Sequence, residues 1–166
     1  RPMAFERATI YAGFWVKTNL VGAGNNEIAA ITTNSDTSFT AGAPPNDSAV
    51  LFCDSSDNLY IRDMAGTPVN RQIGTTALSD ATLYYFQVMV RQESTDWYRV
   101  QVYDADGAAI STLHGEGAAD FSNGTDTTFD GFIPYLQNTF GGIICTNFDF
   151  GGVVYFDELV ADTSAS

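Results

Sequence analysis

Basic residues are scarce in this chain. Lysine occurs once, at Lys17, histidine once, at His114, and 7 basic residues stand against 20 acidic ones for a net charge of −13. A surface that neutralises phosphates needs clustered Lys and Arg, so nucleic-acid binding is not expected. Anionic membrane surfaces are disfavoured for the same reason. Cysteine is nearly as rare. Cys53 and Cys145 are the only two, too few to hold zinc by themselves. They lie in separate apolar stretches, Val50-Leu51-Phe52-Cys53 and Ile143-Ile144-Cys145, so a disulfide between them and two free thiols both stay open. Apolar runs fall short of the ~20 residues of a membrane span, so membrane insertion is not expected. Helical periodicity is missing from every window of about 11 residues. No signal-peptide pattern is visible, and the abrupt opening Arg1-Pro2-Met3 reads as a processed chain or a domain cut from a longer one.

What the chain has instead is aromatic residues, glycine and alternation. It is 45% hydrophobic but only 16% charged, with 12 Phe, 8 Tyr and 15 Gly, a balance that favours strands and turns. Its 166 residues make one domain, residues 1–166, large enough to bury roughly 70% of the unfolded surface. The acidic excess keeps such an apolar-rich β protein soluble and discourages edge-to-edge association. Asn46-Asp47-Ser48 and Asn123-Gly124-Thr125 fit the N-glycosylation pattern.

The clearest pattern covers residues 82–107. Tyr84, Phe86, Val88 and Val90 share one face, while Tyr85, Gln87, Met89 and Arg91 share the other. In the next run Tyr98, Val100 and Val102 alternate with Trp97, Arg99, Gln101 and Tyr103. A side-chain period of two means strands with one face in a core, and the polar turn 92–96 joins them as an antiparallel hairpin.

The same logic gives strands at Ala8 to Thr18, Glu27 to Thr33, Ala49 to Cys53 and Asn58 to Asp63. A weak strand follows at Arg71 to Thr75 and a short one at Ala108 to Leu113. Phe129 to Leu136 is a strand that Pro134 assigns to a sheet edge or bulge. Ile143 to Cys145 and Val153 to Asp162 complete the set. Residues 34–48 read as a surface loop, and the Gly-rich stretch His114 to Thr128 as another. Roughly ten strands spaced by turns make an all-β, antiparallel two-sheet sandwich.

Three stretches resemble the laminin-G-like or concanavalin-A-like jelly-roll lectin family. They are Ala12-Gly13-Phe14-Trp15-Val16-Lys17, the hairpin ending in Tyr103-Asp104-Ala105-Asp106-Gly107, and Val154-Tyr155-Phe156-Asp157-Glu158-Leu159-Val160. The resemblance implies a concanavalin-A-like jelly roll spanning nearly the whole chain. One departure is that little sequence precedes the Phe14-Trp15 strand, where the family has a further strand. That strand is expected to be missing, rearranged or supplied by a neighbouring chain.

Candidate ligand-binding residues are Trp15, Tyr85, Trp97 and Tyr103, whose rings could stack on sugars, with Arg91, Arg99 and Gln101 donating hydrogen bonds; plain packing is the competing role. Asp104, Asp106 and Asp157 are candidate Ca²⁺ ligands, as proteins of the resembled type often have, although Asp-Ala-Asp-Gly is also an ordinary turn. No cofactor is otherwise required. A glycosidase needs two carboxyls about 5–9 Å apart, but Asp157 and Glu158 are adjacent on a strand and point apart. For a β-eliminating lyase, Tyr85, Gln87 and Arg91 alternate on one face, as in any exposed strand. These points lead to a non-catalytic recognition domain for glycans on an extracellular or virion surface. The alternative is a structural or adhesive subunit working through protein–protein contacts, including homo-oligomers. A polysaccharide-cleaving enzyme ranks last.

Overall fold

The computed structural model describes residues 3–17, 26–32, 48–63, 67–92, 95–121, 129–134 and 144–149. Among these residues every regular element is a strand. One sheet holds β1 (Met3–Arg7), β10 (Phe129–Pro134), β3 (Asn26–Thr32), β4 (Ser48–Cys53), β5 (Asn58–Asp63) and β6 (Val69–Ala77), in that spatial order. The other holds β11 (Ile144–Asp149), β2 (Thr9–Lys17), β7 (Leu83–Arg91), β8 (Trp97–Tyr103) and β9 (Ala109–Ala118). All neighbouring strands run antiparallel. The architecture is the expected two-sheet jelly-roll sandwich.

The period of two assigns the faces. Ile10, Ala12, Phe14 and Val16 of β2 and Tyr84, Phe86, Val88 and Val90 of β7 are all buried. They meet Ala29 and Ile31 of β3, Ala49 and Leu51 of β4 and Ile61 of β5, since Phe14 and Val88 line one small void with those residues. Phe14 and Phe86, directly opposite in register, stack with centroids 5.6 Å apart. Burying one such aromatic side chain is worth about 1.5–3 kcal/mol.

Several expectations need correcting. The strand thought to be missing before Phe14-Trp15 is present as β1, which pairs with β10 at the edge of the six-stranded sheet. Consequently β10 is not an edge strand but lies between β1 and β3. Pro134 is tolerated because it is the strand's last residue, opposite Ala29, whereas β1 begins at Met3 opposite Phe132. β6 and β9 are both longer than expected, and His114 to Ala118 is strand rather than loop. The strand expected at 153–162, with Asp157 and Glu158, lies outside the described residues.

Cys53 is a buried free thiol, and the side chain of Cys145 lies outside the described ones. The two positions lie in different sheets: Cys53 on β4, and Cys145 on β11 opposite Val16. Burial, with Asp57 and Asp54 nearby, pushes the Cys53 thiol up to about 12, which keeps it protonated and unreactive at neutral pH.

Two hairpins share one turn design. In β4–β5, Asp54 Oδ1 accepts from the backbone N–H of Ser56 (2.8 Å) and Asn58 (3.0 Å). In β8–β9, Asp104 Oδ1 accepts from Asp106 (3.0 Å) and Ala108 (2.8 Å). Each turn needs positive φ at its fourth residue. Gly107 supplies it at 82° without strain, but Asp57 must adopt 63°. The Asp57 carboxyl is also pushed up, by desolvation and by Asp54 and Asp80, and its Oδ1 is shielded without a hydrogen-bond partner. Asp57→Gly is therefore expected to stabilise the protein by about 0.5–1 kcal/mol, read as a higher denaturation midpoint.

Two carboxylates hold the segment after β9 against both sheets. Asp96, beside β8, accepts from Phe121 N at 2.7 Å, and Gln92 Nε2 donates to Phe121 O at 2.9 Å. From the opposite sheet, Asp63 accepts from Asp120 N (3.3 Å) while pairing with Arg71 (2.9 Å). The end of β9 is thereby fixed, and with it one border of the outer face described next.

Candidate active site

The outer face of the five-stranded sheet carries the side chains that alternate with the core. Register sets them in rows across the strands. Gly13, Gln87, Gln101 and His114 form one row, from β2 through β7 and β8 to β9. Tyr11, Met89, Arg99 and Glu116 form the next, and Trp15, Tyr85 and Tyr103 the row on the other side. Between the first two rows lies an open groove of about 240 Å³, lined by Tyr11, Gln87, Met89, Arg99 and Gln101 with the edges of Ala12 and Val88.

A bulge in β9 decides which of its residues reach this face. Ala109 pairs with Tyr103, but the next partner of β8 is His114, opposite Gln101. Residues 110–113 thus stand against Val102 alone. Extra residues on one strand shift the parity of everything beyond them, so the even-numbered His114 and Glu116 follow the odd-numbered Ala109 onto the groove face. Gln101 stabilises the bulge, because its Nε2 donates to Ile110 O (3.2 Å) and Val102 O (2.8 Å). Its amide nitrogen is thereby committed to backbone, which leaves Oε1 as the polar atom it can offer a ligand.

Tyr103 and Gln87 are coupled, the Tyr103 hydroxyl lying 2.8 Å from Gln87 Oε1. With the phenol donating to that carbonyl, the Gln87 NH₂ group is left to donate elsewhere. Arg99 is open to solvent, its side chain 59% exposed, and its Nε lies 3.7 Å from Glu116 Oε2. Tyr11 is 37% exposed. The groove therefore assembles one phenol, two amides of opposite polarity and a guanidinium.

The sequence-predicted residues divide. Arg99 and Gln101 line the groove. Trp15, Tyr85 and Tyr103 form a half-buried aromatic ladder beside it, with centroids 5.1 Å and 6.1 Å apart. Arg91 and Trp97, opposite one another, are half-buried at the far end of the face. Asp104 caps its turn and Asp106 is an exposed turn residue; Asp157 lies outside the described residues. Among the described residues no three His, Cys, Asp or Glu side chains gather to hold a metal. Tyr11 and His114 were not singled out for the groove face. Tyr11 was legible, since it shares parity with Trp15. His114 was concealed by the flanking glycines and the bulge.

Neither a protein-family model nor a curated protein matches the sequence. Solved structures do match the fold. An endo-β-1,4-glucuronan lyase from the fungus Trichoderma reesei superposes with a TM-score of 0.52 at 15% identity, over 80% of this chain and 60% of its own. A marine PL-14 alginate lyase from Aplysia kurodai gives 0.52 at 8% identity, over 86% of this chain and 66% of its own. The fold is one that polysaccharide lyases share. This chain spans a little under two thirds of the length of either lyase.

These neighbours support the jelly-roll sandwich but not the narrower laminin-G or lectin assignment. They also overturn the expectation of a non-catalytic recognition or adhesive domain, since both solved structures are polysaccharide-cleaving enzymes. That expectation rested on finding no paired carboxylates and on reading the Tyr85, Gln87 and Arg91 alternation as that of any exposed strand. The first ground does not bear on elimination, which, unlike glycoside hydrolysis, does not require two carboxyl groups. The second could not be weighed without the register that sets Tyr11 beside Gln87, Arg99 and Gln101.

Proposed function

We propose that this chain is a polysaccharide lyase that cleaves a uronate-containing polysaccharide by β-elimination in the groove on the five-stranded sheet. The observation that carries the proposal is the combined lining of Tyr11, Gln87, Arg99 and Gln101, on a fold whose solved examples include lyases of acidic polysaccharides.

The chemistry asks for three things. The proton at C5 of a uronate is acidified by its neighbouring carboxylate only if that carboxylate's charge is neutralised. A base must remove the proton, and the leaving glycosidic oxygen must gain one. As the C5–H bond breaks, its electron pair forms the C4=C5 double bond, and the C4–O bond breaks with its pair going to oxygen. Arg99 and the Gln87 amide suit the carboxylate, where negative charge grows in the transition state. Gln101 Oε1 suits a sugar hydroxyl. Tyr11 is the proton-transfer group of the groove: as phenolate it takes the C5 proton, and as phenol it returns a proton to the departing oxygen. The aromatic ladder lies about 7 Å along the strands, where a neighbouring sugar could rest. An extracellular location suits a polymeric substrate.

The test is to incubate the protein with glucuronan and alginate and follow the ultraviolet absorbance of the unsaturated uronate end. Tyr11→Phe should remove turnover, by about 10²–10⁴-fold, while polymer binding persists. Absence of any unsaturated product from polyuronates would reject the proposal.

A further inference from the structure

Arg99 faces a carboxylate of its own chain. Glu116 lies directly across the β8–β9 ladder, with Oε2 3.7 Å from Arg99 Nε and 49% of its side chain exposed. Arg99 is the one cation among the described groove-lining residues. Glu116 reaches this position only because the β9 bulge shifts parity. In an unbulged strand continuing from the Tyr103–Ala109 pair, Leu113 would stand opposite Arg99.

We infer that Glu116 is a built-in competitor for the substrate carboxylate: it holds Arg99 when the groove is empty and weakens the hold on anionic substrate and product alike. This rests on the lyase reading of the groove. At 3.7 Å the pair is an ion contact without a good hydrogen bond. Exposed pairs of this kind are weak and easily exchanged, which suits a group that must yield to a ligand. A uronate carboxylate that pairs with Arg99 must take the guanidinium from Glu116, so part of its binding energy goes into that exchange. The product keeps the same carboxylate as the substrate. A competitor at this site therefore loosens both complexes by a similar factor and aids release of the cleaved end. Neutral glycans are indifferent to it. Glu116 thus acts through Arg99 and is a positioning residue rather than a catalytic one.

The experiment is Glu116→Gln, which keeps the side-chain shape and removes the charge. The expected result is a KM for the polyuronate about two- to five-fold lower, the size of effect an exposed ion pair exerts. Product inhibition should tighten by the same factor, while the rate at saturation does not fall. In an Arg99→Ala background the Glu116→Gln change should leave KM unmoved. An unchanged or raised KM in the single variant overturns the inference, as does an equal effect in both backgrounds. If Glu116→Gln behaves as the parent while Arg99→Ala loses activity, the competitor role alone is rejected. If no polyuronate is cleaved by the parent protein, the lyase reading fails and the inference with it.

Discussion

Gly74→Ala is expected to cost about 2–5 kcal/mol, the sum of left-handed strain of about 1–2 kcal/mol and overpacking of about 1–3 kcal/mol. Gly74 sits in β6 with φ +77°, and a Cβ there would lie 2.0 Å from the carbonyl oxygen of Thr112 and 2.8 Å from Leu113 Cα. Both obstacles are backbone, so neither can swing aside. They belong to the β9 bulge, and Thr76 Oγ1 joins Thr112 Oγ1 at 3.0 Å in the same place. Here the edge strand of one sheet presses on the edge strand of the other, closing one side of the sandwich. A loss of this size is a large share of the ~5–15 kcal/mol that stabilises a typical domain. Urea denaturation followed by circular dichroism would measure it. Gly107→Ala is the control, because φ is +82° there but nothing lies within 4 Å of the added carbon. It should lose only the conformational part, about 1 kcal/mol. Equal losses at the two sites would show that β6 and β9 do not approach this closely.

The second large effect concerns chemistry and leaves the fold alone. Arg99→Ala should lower kcat/KM on a polyuronate by about 10²–10³-fold, the usual cost of removing one group that stabilises developing negative charge. Charge builds on the substrate carboxylate as the C5 proton departs, so the guanidinium contact strengthens toward the transition state and kcat falls as well as affinity. Stability should change by no more than about 0.5 kcal/mol, because the Arg99 side chain is 59% exposed and its ion contact is long. Arg99→Lys should recover only part of the rate, since an ammonium cannot present the guanidinium's planar pair of donors. Full activity in Arg99→Ala would move the carboxylate subsite away from the groove.

Much of this arrangement was readable from residue order. The alternation in Tyr84 to Val90 and Tyr98 to Val102 assigns each side chain to a face, because a strand has only two and a core will bury only the apolar one. It sets Tyr85, Gln87, Arg99 and Gln101 together on the outer face from residue order alone. The Asp-x-x-Gly and Asp-x-x-Asp turns were equally legible, since an Asp cap and positive φ are local requirements.

What could not be read locally was set by contacts between distant strands. Gly115 and Gly117 resemble a loop in sequence, yet they lie in β9. A Cβ at Gly115 would come within 3.0 Å of Ile73 Cδ1, so this glycine answers to a strand of the other sheet. The bulge between Ala109 and His114, which swings His114 and Glu116 onto the groove face, draws on the Ile110 carbonyl, which Gln101 satisfies from the neighbouring strand. β1 likewise has no strong pattern of its own and is defined by its pairing with β10. By itself the sequence determined the strands, their turns and the two faces of each central strand, because those follow from a side-chain period of two. Only the tertiary structure decided that the outer face of the five-stranded sheet carries a groove, and that Arg99 meets Glu116 beside it. Register, bulges and sheet-on-sheet approach depend on which strands meet, and no local stretch of sequence contains that information.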